Sequence, residues 1–124
     1  MLASCGGAIR ADELRRGVES LGSLASEGAL VADGAARDRT KRTFTRVQAR
    51  TLGEQAQHEA EKISDASAPA ALARAKVATV TLATDVGDAL GELQTAPGDA
   101  ASAARAGRTL RELAQRAKRL AGEL

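Results

Sequence analysis

The sequence predicts an all-α protein, an antiparallel up-down-up-down four-helix bundle, and three observations carry that expectation. Apolar residues recur at alternating three- and four-residue spacing over four stretches, which puts one narrow apolar seam on one face of each helix. Pro69 and Pro97 stand in the gaps before the third and fourth stretches, where a proline suits the entry to a first turn. The connections are only a few residues long, and helices joined so tightly run antiparallel to their neighbours.

Residues 1–10 have no helical period and contain Gly6-Gly7, so they are expected to form a flexible lead or tether. The bundle is expected to occupy 11–124. Its first helix, about 11–37, carries the seam Leu14, Val18, Leu21, Ala25, Gly28, Ala32 and Ala35. Leu24 and Val31 widen one flank, and Asp12-Glu13 sit at the positive end of the helix dipole. The basic run from Arg37 to Thr43 connects it to the second helix, about 43–66, with Thr40 or Thr43 expected as N-cap. The second seam is the weakest. It is expected to run through Phe44, Val47, Leu52, Ala56 and Ile63, with Gln48, Gln55 and Glu59 inside the same arc.

The third helix, about 69–94, has the clearest stripe, from Leu72 and Ala75 through Thr79, Leu82, Val86 and Ala89 to Leu93. A second set at the same alternation, Val77, Val80, Thr84, Gly87 and Gly91, lies roughly a quarter turn away. Two seams imply two contacts. The helix either sits deep in the bundle and touches two neighbours, or offers a small-residue face to a helix of another chain, which would make self-association a role of this face. The turn Thr95-Ala96-Pro97-Gly98-Asp99 restarts the chain as the fourth helix, about 98–123. Its seam runs through Ala103, Ala106, Leu110, Leu113, Ala117 and Leu120 to Leu124.

A chain of 124 residues is one domain with one core, and here the core must be thin. Twenty-nine residues are Ala and the aromatics stop at Phe44, so each residue buries little area and hydrophobic stabilisation, about 25 cal/mol per Å², accumulates slowly. Glycines inside the helices, such as Gly53 and Gly87, each remove roughly another 1 kcal/mol relative to Ala.

Catalysis finds little support. His58 is the only histidine and Cys5 the only cysteine, so no Ser-His-Asp or Cys-His set is assembled on fixed elements. A di-iron bundle site needs Glu-x-x-His on two helices, whereas Glu54 and His58 are four apart and have no second histidine to join them. With no strand there is no Gly-rich phosphate loop after one. No catalytic, metal or cofactor-binding residues are assigned.

The formal charge of +2 conceals two clusters. Arg37, Arg39, Lys41, Arg42, Arg46 and Arg50 face only Asp38, and Arg105, Arg108, Arg111, Arg116, Lys118 and Arg119 enclose only Glu112. The first caps one end of an up-down bundle. The late part of the second lies at the other end, beside Arg10, Arg15 and Arg16. Nucleic acid is the usual partner of such clusters, but a single aromatic gives no base-stacking platform and Asp85, Asp88, Glu92 and Asp99 interrupt the field, so nucleic acid is disfavoured.

The start of the chain carries the most functional content. Leu2-Ala3-Ser4-Cys5 resembles the lipobox of bacterial lipoproteins, and a Gly-containing tether leading into an Ala/Arg-rich helical domain is similar to small bacterial lipoproteins. The resemblance implies acylation of Cys5 and anchoring at the outer face of the cytoplasmic membrane. It departs from the pattern in that only Met1 and Leu2 stand where a charged and then an apolar segment belong, so export requires a start upstream of Met1. Otherwise the protein is cytoplasmic and Cys5 is a free thiol. One acyl chain alone binds a bilayer marginally, and Arg10, Arg15, Arg16, Arg116 and Arg119 would add roughly 1 kcal/mol each as contacts with anionic headgroups. Two functions follow: a non-enzymatic, lipid-anchored envelope module for binding or structure, or a cytoplasmic helical interaction protein.

Overall fold

The computed structural model describes residues 7–124. It contains four α-helices, α1 (Ala11–Ala36), α2 (Arg42–Asp65), α3 (Ala73–Thr95) and α4 (Ala100–Gly122), with a 3-10 turn over Ala70–Leu72, and among the described residues there is no strand. The helices pack as an antiparallel four-helix bundle. α1 lies most extensively on α4 and α2 on α3, and α1 also touches α3 across the diagonal. Short diagonals follow from small side chains: a Cβ on Gly28 of α1 would stand 2.8 Å from Leu90 Cδ2 of α3 and 3.1 Å from Leu110 Cδ1 of α4. Gly28 is therefore the point where three helices converge, and its missing side chain is what lets them.

The buried faces of α1, α3 and α4 follow their spacing. Leu14, Val18, Leu21 and Ala25 of α1, Leu82 and Val86 of α3, and Leu110 and Leu113 of α4 are buried. Together with Leu52 and Ala56 of α2 most of them form the main core cluster. α2 departs from expectation. Its buried residues are Thr45, Ala49, Leu52, Ala56 and Ile63, so Phe44 and Val47 lie outside the seam, 51% and 49% exposed. The reason is helical phase: Leu52, Ala56 and Ile63 continue back at three- and four-residue spacing to Ala49 and Thr45, whereas Val47 stands roughly 140–180° and Phe44 roughly 80–120° from them around the helix. At this end the core is a layer of Ala32, Ala35, Ala49, Ala103 and Ala106 around Leu93. Thr45 fits, and its buried hydroxyl is satisfied by the Thr40 hydroxyl at 3.0 Å.

That pairing also removes Thr40 from the capping role expected of it. The N-cap of α2 is Lys41, whose side chain makes no capping bond. α1 ends in a Schellman motif: Arg39 N–H donates to Gly34 O at 2.8 Å and Asp38 N–H to Ala35 O at 3.1 Å, with Asp38 at φ 55°. The third helix is shorter than expected at its start, because Pro69 leads into the 3-10 turn and α3 begins only at Ala73. Lys76 crosses this connection and donates to Ala66 O at 2.6 Å, closing the C-terminus of α2. Residues 8–9 are not part of a free lead, because Ala8 bridges to Ser67 and Ile9 N–H donates to Ser67 O at 2.8 Å. The chain therefore enters the bundle pinned to the α2–α3 connection.

α4 begins at Ala100 rather than at 98, because Asp99 is its cap. Asp99 Oδ1 accepts from Ser102 N–H at 3.2 Å and Ala101 N–H at 3.0 Å, and Oδ2 meets the Ser102 hydroxyl at 3.2 Å. Those bonds, led by the Ser102 backbone N–H, hold the carboxyl below its ordinary value. A depressed folded pKa means that the unfolded chain binds the proton first. The stabilisation is fully present above the unfolded value of about 3.9 and is lost as pH falls through the folded one. Asp99→Asn keeps the cap without the titration, so its thermal midpoint should match the parent near neutrality and exceed it in strong acid. Melting curves at the two pH values check this, and a parallel fall of both proteins on acidification would refute it.

Candidate functional site

Three surfaces bear on function: the tether end, the α2–α3 groove and the opposite basic end. At the tether end the start of α1 meets the C-terminus of α4 and the α2–α3 connection. Cys5, the expected lipidation site, lies outside the described residues, as do Leu2, Ala3 and Ser4. Of the five arginines expected to meet anionic headgroups, three are engaged. Arg10 and Arg16 both pair with Asp12, at 3.4 and 3.7 Å, and Arg116 Nη1 pairs with Asp85 Oδ2 of α3 at 2.7 Å. Arg15 and Arg119 are exposed and have no ion pair among the described residues. Asp65, Glu61 and Glu123 sit at the same end, so its cations and anions are interspersed.

The α3 face expected to receive a partner helix is divided by the fold. Thr84, Gly87 and Gly91 line an open groove of about 490 Å³ between α2 and α3, opposite Gly53 and Gln57. Val80 is half-buried, and Val77, 65% exposed, stands clear of the groove. A Cβ on Gly87 or Gly91 would meet nothing within 4 Å, so neither glycine is required for α3 to pack on α2. Gly87→Ala and Gly91→Ala should therefore each stabilise the isolated protein by roughly 0.5–1 kcal/mol through helix propensity. Urea denaturation at low protein concentration measures this, and a loss of stability in either variant would mean that the groove is occupied.

His58 is exposed and lines a shallow groove between α1 and α2 with Thr51, Gln55 and Ser20. Among the described residues no group of three His, Cys, Asp or Glu side chains is placed to hold a metal ion. Nor is any described helix long and apolar enough to cross a membrane. Cross-helix ion pairs that sequence spacing does not reveal, Arg111–Asp33 at 2.8 Å and Arg116–Asp85, tie α4 to α1 and α3. Being half-exposed, each contributes about 0–1 kcal/mol and serves register more than stability.

The opposite end gathers the α1–α2 loop, the first turns of α2 and the α3–α4 turn. Arg37, Arg39, Lys41, Arg42 and Arg46 are exposed, and none of them makes an ion pair among the described residues. Arg50, one turn further along, pairs with Glu54 at 3.8 Å. Arg42 lies over Gly98 of the α3–α4 turn. Phe44 and Val47 are exposed on the same two turns of α2, on the flank away from the one where Arg42 and Arg46 meet the α3–α4 turn. The fold thus defines a small antiparallel four-helix bundle with one mixed-charge end and one basic end. No protein-family model, curated protein or solved structure matches the chain.

Proposed function

We propose that this chain is a non-enzymatic helical bundle anchored by a lipid on Cys5 to the outer face of the cytoplasmic membrane, where it serves the cell envelope as a binding or structural module. The observation that carries the reading is the junction Leu2-Ala3-Ser4-Cys5, the one place in the chain where small residues precede a thiol. The attachment of Ile9 to Ser67 supports it, because only the residues between Cys5 and Ile9 then separate the lipid from the bundle. Those three residues, four steps from Cys5 to Ile9, reach at most about 14 Å when extended. Arg15 and Arg119 at that end would lie near the surface, within range of headgroup charge screened over about 8 Å.

Expressed with its upstream reading frame, the protein should partition with membranes, and mass spectrometry should find an acylated Cys5 as the mature N-terminus. Cys5→Ser should leave a soluble or uncleaved product, since a hydroxyl cannot form the thioether. An intact Met1 on a protein recovered from the cytosol would refute the anchor. It would promote the second reading, a cytoplasmic interaction protein that self-associates through α3. That reading draws on the open groove at Gly87 and Gly91, and it requires Gly87→Ala to weaken association while stabilising the monomer.

A further inference from the structure

Three of the four large apolar side chains that are exposed among the described residues stand on one face of the bundle: Leu30 of α1, 72% exposed, and Phe44 and Val47 of α2. Their positions follow from a seven-residue step, which nearly completes two helical turns and returns a side chain to the same flank. Ser23 lines the groove between α1 and α4 as well as the one between α1 and α2, so it stands on the outer ridge of α1, and Leu30 is seven residues further on. Glu54 lines the grooves on both sides of α2, and Val47 is seven residues before it. Leu24 and Thr51 line the α1–α2 groove, and Val31 and Phe44 are their counterparts seven residues nearer the loop. The half of this face around Ser20, Gln55 and His58 is mostly polar, and the half next to the loop is apolar.

Charge along the same face changes sign. Val31 lies five residues before Ala36, where α1 ends, and Val47 five residues after Arg42, where α2 begins, so the antiparallel helices bring the two to one level. Six residues from each toward the loop, about 9 Å, stand Arg37 and Lys41, exposed and without an ion pair among the described residues. In the other direction come Glu27, about 6 Å from the level of Val31, and Glu54, about 10 Å from that of Val47. Glu27 is exposed and makes no ion pair among the described residues, and Glu54 has only Arg50 at 3.8 Å.

We propose that this face is the interface of a homodimer: a second copy of the chain docks on it about a two-fold axis that crosses α1 and α2 at the level of Val31 and Val47. That axis lays α1 on α1 and α2 on α2 in opposite directions. Leu30, Phe44 and Val47 of the two copies then cover one another, Arg37 comes over Glu27 of the second copy, and Lys41 over its Glu54. The surface is complementary to itself, with an apolar centre and rims of opposite charge on either side. An unrelated partner would account for the apolar centre alone and leave the matched spacing of the rims without a role. The interface is separate from Cys5 and from the α3 groove, so it does not depend on anchoring. Two helices over about four turns make a small interface, and the dimer is therefore one that exchanges with monomer.

Sedimentation equilibrium of the full chain, kept reduced so that Cys5 forms no disulfide, should show an average mass that climbs from one chain toward two as concentration rises. Leu30→Ser and Phe44→Ser should each raise the dissociation constant about tenfold or more, whereas Val77→Ser, at an exposed apolar residue of α3, should leave it unchanged. Glu27→Arg and Arg37→Glu should each weaken the dimer and, combined in one chain, restore it. The substituted residues are exposed, and circular dichroism checks that each variant is folded. The mass of a single chain at every concentration up to about 1 mM would overturn the proposal. So would association that survives both serine variants and is lost in Gly87→Ala, which would move the contact to the α3 groove, or a double charge swap that stays as weak as the single ones.

Discussion

Leu82→Asp abolishes folding: the variant is expected to give the circular dichroism of a largely unfolded chain at room temperature. Leu82 is fully buried in the main core cluster, and among the described residues no cation is buried to receive a carboxylate. Burying a lone charge is so costly that the group either protonates or forces the helix outward, and either response consumes several kcal/mol. Domains of this size have roughly 5–15 kcal/mol in total, and a core built largely from alanine sits at the low end of that range. Leu113→Asp, in the same cluster on α4, should behave alike, being 2% exposed. A cooperative melt near the parent midpoint in either variant would mean that the core is not where the bundle places it.

Leu90→Ala is the second large effect, a loss of about 2–5 kcal/mol in chemical denaturation. Leu90 does not belong to the main stripe of α3, yet it is fully buried, with its side chain filling the space that Gly28 leaves on α1 and its Cβ near Gly53 of α2. Truncation opens a cavity at the point where the diagonal helices meet, and the backbones on either side are already too close to collapse further. The paired control is Phe44→Ala. Phenylalanine is the larger side chain and on composition alone would be the residue to protect, but at half exposure its removal should cost well under 1 kcal/mol. Equal losses for the two variants would contradict the phase of α2 seen here, and with it the argument for an exposed apolar point at the basic end.

The four helices and their antiparallel order were legible in the chain because spacing and connection length act locally. Leu14, Val18, Leu21 and Ala25, or Leu110, Leu113 and Ala117, repeat at three and four residues over several turns, and no tertiary competitor changes which side of such a helix is apolar. Cys5 was legible only by resemblance, and the residues around it lie outside the described part of the structure. The phase of α2 was present in its spacing, because Leu52, Ala56 and Ile63 continue back at three and four residues to Ala49 and Thr45; the expected seam through Phe44 and Val47 put side-chain size before phase, Val47 standing roughly 140–180° from those three residues. What only the tertiary structure decided is which residues meet in each layer of the core: nothing in the spacing of α2 says that Ala49 packs in one cluster with Ala32 and Ala35 of α1 and Ala103 and Ala106 of α4. The same packing assigned partners to the arginines, drawing Arg116 to Asp85 and Arg111 to Asp33 while leaving Lys41, Arg42 and Arg46 without any among the described residues, since a charge finds its partner through distances that exist only once the helices are side by side.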